Sequence, residues 1–129
     1  FILGLIVCPM SKAYDFGKKA EDLAAAYLIK SGYSLLERNY RYLKAEVDLI
    51  VQKEDLLVAV EVKARSDGFM VALHESITPK KIKLLVSAID HYVQTSALDV
   101  SVRFDIITFI YKNGNWHKNH IENAFYSFG

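Results

Sequence analysis

The segment GKKAEDLAAAYLIKS (17–31) places Ala20, Leu23, Ala24, Tyr27 and Leu28 at helical spacing, and Gly32 supplies a stop. This pattern predicts a first helix. Tyr33 to Tyr40 (YSLLERNY) reads as a first strand, and two short apolar runs follow it, AEVDLIV (45–51) and LLVAVEVKAR (56–65). Their β-branched content over such short lengths favours buried strands. The polar tetrad Gln52-Lys53-Glu54-Asp55 between them predicts a hairpin that sets the two runs side by side. Thr78-Pro79 opens a second helix with an N-cap and a proline at the first helical position. Ile82, Leu85, Val86, Ile89 and Val93 give it one apolar stripe through about residue 96. Val102 to Tyr111 forms another strand, and Asn113-Gly114 turns into a last short strand around Trp116 to Ile121. The predicted order is α-β-β-β-α-β-β. A helix between the third and fourth strands requires a crossover, so the expected fold is α/β, a mixed sheet flanked by helices. Ser66 to Ile77 is the one long irregular stretch, leaving from the charged end of the third strand.

Charge interrupts this pattern at two places. Asp48 lies within the second strand, and Glu61 with Lys63 at the end of the third. Alternation puts Glu61 and Lys63 on one face with Val60 and Val62 on the other, and it pairs Glu46 with Asp48 in the same way. The hairpin would bring Asp48 near Glu61. A buried sheet rarely carries that many ionised groups without a metal, partner or substrate to compensate them, and two acids on adjacent strands have the geometry of a divalent-metal site. The competing reading is a structural ion-pair network, since an isolated exposed Glu-x-Lys pair contributes only about 0–1 kcal/mol and arises often by chance.

The 129 residues suffice for one domain. With 52% apolar and 24% charged residues the composition is that of an ordinary globular protein, without repeats or low-complexity tracts. A net charge of +1 gives no overall field for nucleic acid, so any such binding must come from local clusters. One cysteine, Cys8, permits no internal disulfide and fits a reducing compartment, with the cytoplasm expected. The opening FILGLIVCPM is apolar but too short for a membrane span and lacks a basic leader, so no membrane association is expected. Met10 is the expected natural start of a single domain over 10–129. Residues 1–9 then form an extension, with a short extra strand as the alternative.

Taken together, GKKAEDLAAAYLIKSGYSLLERNYR, AEVDLI, VAVEVKARS, ITPKKIKLL, VRFDI and IENAF resemble the YraN family of small bacterial proteins, within the restriction-endonuclease-like PD-(D/E)xK superfamily. The resemblance covers residues 14–129. It implies a restriction-endonuclease-like core and a candidate nuclease site in which Asp48 and Glu61 hold Mg²⁺ or Mn²⁺. By the same carry-over Lys63 is the catalytic lysine and Glu21, in AEDLA, an accessory acid. The match to AEVD favours Asp48 over Glu46 as the ligand of that pair. The chain departs from the pattern in lacking a proline before the strand-two acid, in having Ala20 before Glu21, and in having Lys44-Ala45 where a glycine is common. Glu21 on the first turn of the predicted helix also fits a complement to the helix dipole, and both readings stay open.

Lys80, Lys81 and Lys83 form a second clue. Cations in the first turn of a helix oppose its dipole, so a cluster there calls for an anion such as a phosphate backbone. Arg65, together with Arg38, Arg41 and Lys44, extends a candidate basic track around the acidic centre, against the alternative of solvated surface charges. Tyr40 and Tyr42 are candidate base-stacking residues or packed rim aromatics. His117 and His120 fall on opposite faces of a strand and make a poor metal pair, and Arg103 with Asp105 reads as a structural pair. The expected function is a Mg²⁺- or Mn²⁺-dependent endonuclease, a hydrolase of phosphodiester bonds in DNA, branched or structured. The alternatives are a non-catalytic nucleic-acid-binding module on the same fold, or a protein-interaction domain. With no separate recognition domain, a homodimer or a protein partner would supply specificity.

Overall fold

The computed structural model describes residues 2–66 and 77–125, with side chains from residue 15 onward. Helix α1 (Ile2–Lys30) is followed by strands β1 (Ser34–Tyr42), β2 (Ala45–Lys53) and β3 (Leu56–Ser66). Helix α2 (Pro79–Thr95) leads to β4 (Ser101–Lys112) and β5 (Asn115–Ile121). The predicted order holds throughout. The five strands form one sheet in the order β1-β2-β3-β4-β5, with β3 and β4 parallel and all other neighbours antiparallel. The parallel pair is the crossover that α2 makes necessary. The long segment after β3, with His74, lies outside the described residues over 67–76.

Helix α1 starts well before Gly17, and the backbone of residues 2–9 continues it, so the alternative of an extra strand gives way to helix. Gly17 does not break the element because a single glycine costs only about 1 kcal/mol in a helix. At the other end Gly32, at φ +102°, closes α1: its N–H reaches Ile29 O, and the Tyr33 N–H reaches Leu28 O. Thr78 caps α2 by accepting the Lys81 N–H on its hydroxyl.

The helices cover opposite faces. Ala20, Ala24 and Leu28 of α1 pack on Leu49, Val51, Val58, Val60 and Ile107, the small alanines letting the helix approach closely. Leu85, Ala88 and Ile89 of α2 pack on Ala45, Val47, Ile50, Leu57, Ala59 and Ile106. Strict alternation therefore fails between Val47 and Leu49, which belong to opposite faces. Beside this break, Asn39 lies between the pairs Arg38↔Leu49 and Tyr40↔Val47 and adopts φ +54°. Asparagine tolerates that left-handed conformation better than most residues. The residue at the break in β2 is Asp48.

Candidate functional site

Pairing between β2 and β3 ends at Leu49↔Val60, one residue short of Asp48 and Glu61. Where the strands part, Asp48 takes over the ladder. Its Oδ2 accepts the Val62 N–H at 2.8 Å, satisfying a donor that the partner strand no longer reaches. Glu61 continues the face of Leu57 and Ala59 beneath α2 and is only 5% exposed. Lys63 Nζ lies 3.3 Å from Glu61 Oε2, and Lys81 Nζ from α2 contacts the same oxygen. Glu61 Oε1 is buried and has no hydrogen-bond partner. The Asp48 carboxyl can donate to Glu61 only while it holds its proton; once it ionises, a buried carboxylate oxygen is left bare, which is costly and asks for a ligand.

The electrostatics follow from this crowding. Burial, reinforced by the nearby Glu61 charge and more weakly by Glu21, pushes the Asp48 carboxyl up to about 7, against the lowering effect of the Val62 N–H. Burial holds Lys63 below the usual lysine range, with Lys81 adding to the shift and Glu61 opposing it. Burial also acts to lower Lys81, but its hydrogen bond and attraction to Glu61 outweigh this and hold it above the usual range. Lys81 thus belongs to the acidic centre. Its position on α2 could be read from the sequence, but its contact could not.

Two clefts meet at Asp48. One, of about 370 Å³, is lined by Lys44, Glu46, Asp48, Glu61, Lys80 and Lys81 among others. The second, of about 510 Å³, is lined by Gly17, Lys18, Glu21, Asn39, Arg41, Glu46 and Asp48. Glu21 is therefore near the site, accepting hydrogen bonds from Arg38 (3.3 Å) and Asn39 (3.4 Å). It is nowhere near the start of α1, so the helix-dipole reading is overturned. Glu46 is half-exposed and pairs with Arg41 at 3.6 Å, whereas Asp48 faces Glu61.

The expected basic track is reached only in part. Lys80, Lys81, Lys44 and Arg41 line the clefts. Lys83 is exposed on α2 away from both linings, and Arg65 turns back to donate to the Ala64 carbonyl at 2.8 Å. Arg38 is held by Glu21 and Asp22, which keeps the Asp22 carboxyl below its usual range. Tyr40 and Tyr42 are packed aromatics: Tyr42 stacks on His91 at 4.0 Å, and Tyr40 meets Tyr92 edge-on at 5.1 Å.

A second polar network lies on the α1 face of the sheet. Asp105 is fully buried and receives Arg103 through both oxygens (2.8 and 2.9 Å) and the Asn123 N–H at 3.0 Å. His120 Nε2 lies 2.8 Å from its Oδ2, and Tyr27 OH 2.8 Å from His120 Nδ1. The Arg103–Asp105 pair anticipated from the sequence is structural, since every Asp105 oxygen is satisfied from within the fold. His120 joins it because the hairpin through Asn113-Gly114 lays β5 along β4 with Ile107 opposite His120, a register that residue spacing did not reveal.

Among the described residues no group of three or more His, Cys, Asp or Glu side chains forms a metal cluster, and no helix is long and apolar enough to cross a membrane. Residues 20–109 match the model of the uncharacterised protein family UPF0102. A UPF0102 protein of Flavobacterium psychrophilum is 44% identical over 119 residues, covering 92% of this chain and all of its own length. UPF0102 proteins of Parabacteroides distasonis (42% identity, 92% of this chain and 98% of the relative) and Bacteroides thetaiotaomicron (44%, 91% and 97%) are similar across the same extent.

Proposed function

The chain belongs to UPF0102, the YraN family, and from the site where β2 and β3 part we propose that it is a PD-(D/E)xK-type nuclease that cleaves DNA with Mg²⁺ or Mn²⁺. The observation that carries this reading is the buried Glu61 carboxylate beside Asp48, with two lysines on Oε2 and neither of them on Oε1. The donor set fits a hard divalent cation. Mg²⁺ is commonly held by one or two carboxylates, with waters and phosphate oxygens completing its shell, so no third acid is needed. Bound by Asp48 and Glu61, the ion would neutralise charge on a phosphate and acidify a water.

The chain's own residues supply the rest. Lys63, held beside Glu61 and depressed in pKa by burial, orients a water and stabilises developing negative charge. Lys80 and Lys44, in the cleft lining, draw the phosphate backbone toward the carboxylates. Glu21 and Arg41 border the second cleft, along which a strand would continue.

One observation favours a second reading, a nucleic-acid-binding module without catalysis. Glu61 already has two ammonium groups on one oxygen, so its charge is compensated without a metal. Incubating the full chain with Mn²⁺ or Mg²⁺ and a panel of single-stranded, duplex, branched and RNA substrates separates the two. Cleavage of at least one DNA form, stopped by EDTA, is expected. Binding without cleavage across the panel would favour the module, and failure to bind any nucleic acid would reject both.

Lys80 and Lys83 test how the cleft meets phosphate. Lys80→Gln is expected to weaken DNA binding and to reduce the slope of log affinity against log salt by roughly one, the change for one lost phosphate contact. Lys83→Gln, outside the linings, should leave the slope near the parent value. Titrations between about 50 and 200 mM salt read the difference.

A further inference from the structure

The hairpin between β1 and β2 carries the most exposed of the large hydrophobic side chains among the described residues. Tyr42 pairs with Ala45, leaving Leu43 and Lys44 as a two-residue loop, and Leu43 is 84% exposed. Its φ is +55°. Tight hairpins place glycine, asparagine or aspartate in such positions because a larger side chain crowds its own backbone there. Among the described residues the other non-glycine positions at positive φ are Asn39, Glu54, Ala97, Asn113 and Asn123, so Leu43 is the only bulky apolar member of that set. A strained backbone that displays an apolar side chain to water has no stabilising role in the fold, and such strain gathers at functional sites.

The surroundings indicate what Leu43 meets. Arg41 precedes the turn and Lys44 lies within it, and Lys44, Glu46 and Lys80 line the cleft that holds Asp48 and Glu61. The tip is also braced, because the Tyr42 ring stacks on His91 of α2. A rigid, cation-flanked apolar tip beside a phosphate-binding cleft has the chemistry of a wedge between nucleic-acid bases.

We propose that Leu43 inserts between stacked bases of a DNA duplex where stacking is already interrupted, at a nick or branch, and so directs such sites into the cleft. This rests on the nucleic-acid reading of that cleft. Interruption is required because burying one leucine returns less free energy than prising apart an intact step consumes. Tyr40 and Tyr42 do not take this role, since both rings are occupied within the fold.

The test uses the full chain in EDTA with equal-length duplexes that are continuous, nicked or three-way branched, each carrying 2-aminopurine at the matching position. The parent is expected to bind the interrupted duplexes roughly tenfold more tightly than the continuous one and to raise 2-aminopurine fluorescence at the discontinuity. Leu43→Gly and Leu43→Asn should lose both the preference and the fluorescence rise while keeping the parent's affinity for continuous duplex. Their thermal midpoints should be unchanged or higher by roughly 2–5 °C, because either residue accepts the positive φ better. Leu43→Met, apolar and unbranched at Cγ, should retain the preference. If the glycine and asparagine variants keep it, or if the parent binds all duplexes alike, the wedge is rejected and the cleft reading stands. A parent that binds no duplex overturns the wedge, and one that also binds no single-stranded DNA or RNA, with or without Mn²⁺, overturns the cleft reading with it.

Discussion

Asp48→Asn is expected to be more stable than the parent at pH 8 in EDTA, by about 1–4 kcal/mol, and to lose Mn²⁺ binding. The asparagine oxygen can still accept the Val62 N–H, so the ladder at the end of β2 is kept. What disappears is a carboxylate that burial and Glu61 have raised to about 7 from its ordinary 3.8. For an acid raised in this way the folded chain holds its proton more tightly than the unfolded chain does. Between about pH 4 and 7 the unfolded state has released that proton and the folded state has not, so parent stability falls as pH rises through this window. Above about 7 the loss is complete, and below about 4 it is absent. The advantage of Asp48→Asn should therefore grow from near zero at pH 4 to its full value at pH 8, read by urea unfolding at several pH values. A constant difference across that range would show that Asp48 is not held in the crowded, desolvated state described above. Mn²⁺ should stabilise the parent and leave the variant unmoved, since a ligand bound only by the folded state adds stability by mass action.

Lys63→Ala is expected to reduce the rate of DNA cleavage at least about a hundredfold while leaving Mn²⁺ and DNA binding close to the parent, the scale usual for removing a positioned acid–base or electrostatic group. The structure makes this substitution clean. Lys81 remains on Glu61 Oε2 after Lys63 is removed, so the buried carboxylate keeps a cationic partner and the local fold is held. Lys63 itself is largely buried, and its removal leaves a small space rather than an unpaired charge. Single-turnover cleavage with saturating metal isolates the chemical step. A variant that cuts as fast as the parent would reduce Lys63 to a neutralising role. A variant that loses metal binding as well would show that the lysine acts through the Glu61 site.

Local pattern carried the architecture. Helical spacing from Ala20 to Leu28 and from Ile82 to Val93, the β-branched runs around Leu49 and Val60, and the Thr78-Pro79 cap each constrain only their own segment. Their order already required a crossover and hence a parallel pair. The boundaries that moved were those where local signals are weak, as at Gly17, through which α1 runs without interruption. The acidic centre was partly legible for the same reason: Asp48, Glu61 and Lys63 interrupt apolar runs, and a charge in such a run stands out in the chain alone.

The strand and helix content, the order of elements and the unusual charges at Asp48, Glu61 and Lys63 were determined by the sequence, because each depends on residues within a few positions of one another. Which charges meet was decided by the tertiary structure. Alternation would have placed Val47 and Leu49 on one face, but the turned backbone beside Asn39 separates them and leaves Asp48 where β2 leaves β3. The docking of α2 brings Lys81 to Glu61 and leaves Lys83 outside, although the two lie two residues apart. The packing of α1 turns Glu21 from a supposed helix-end charge into a wall of the second cleft. The return of β5 along β4 supplies His120 to Asp105. The contacts that α1 and α2 make at the site join residues far apart in the chain, and the free energy that selects them is the burial of whole faces, which no short segment encodes.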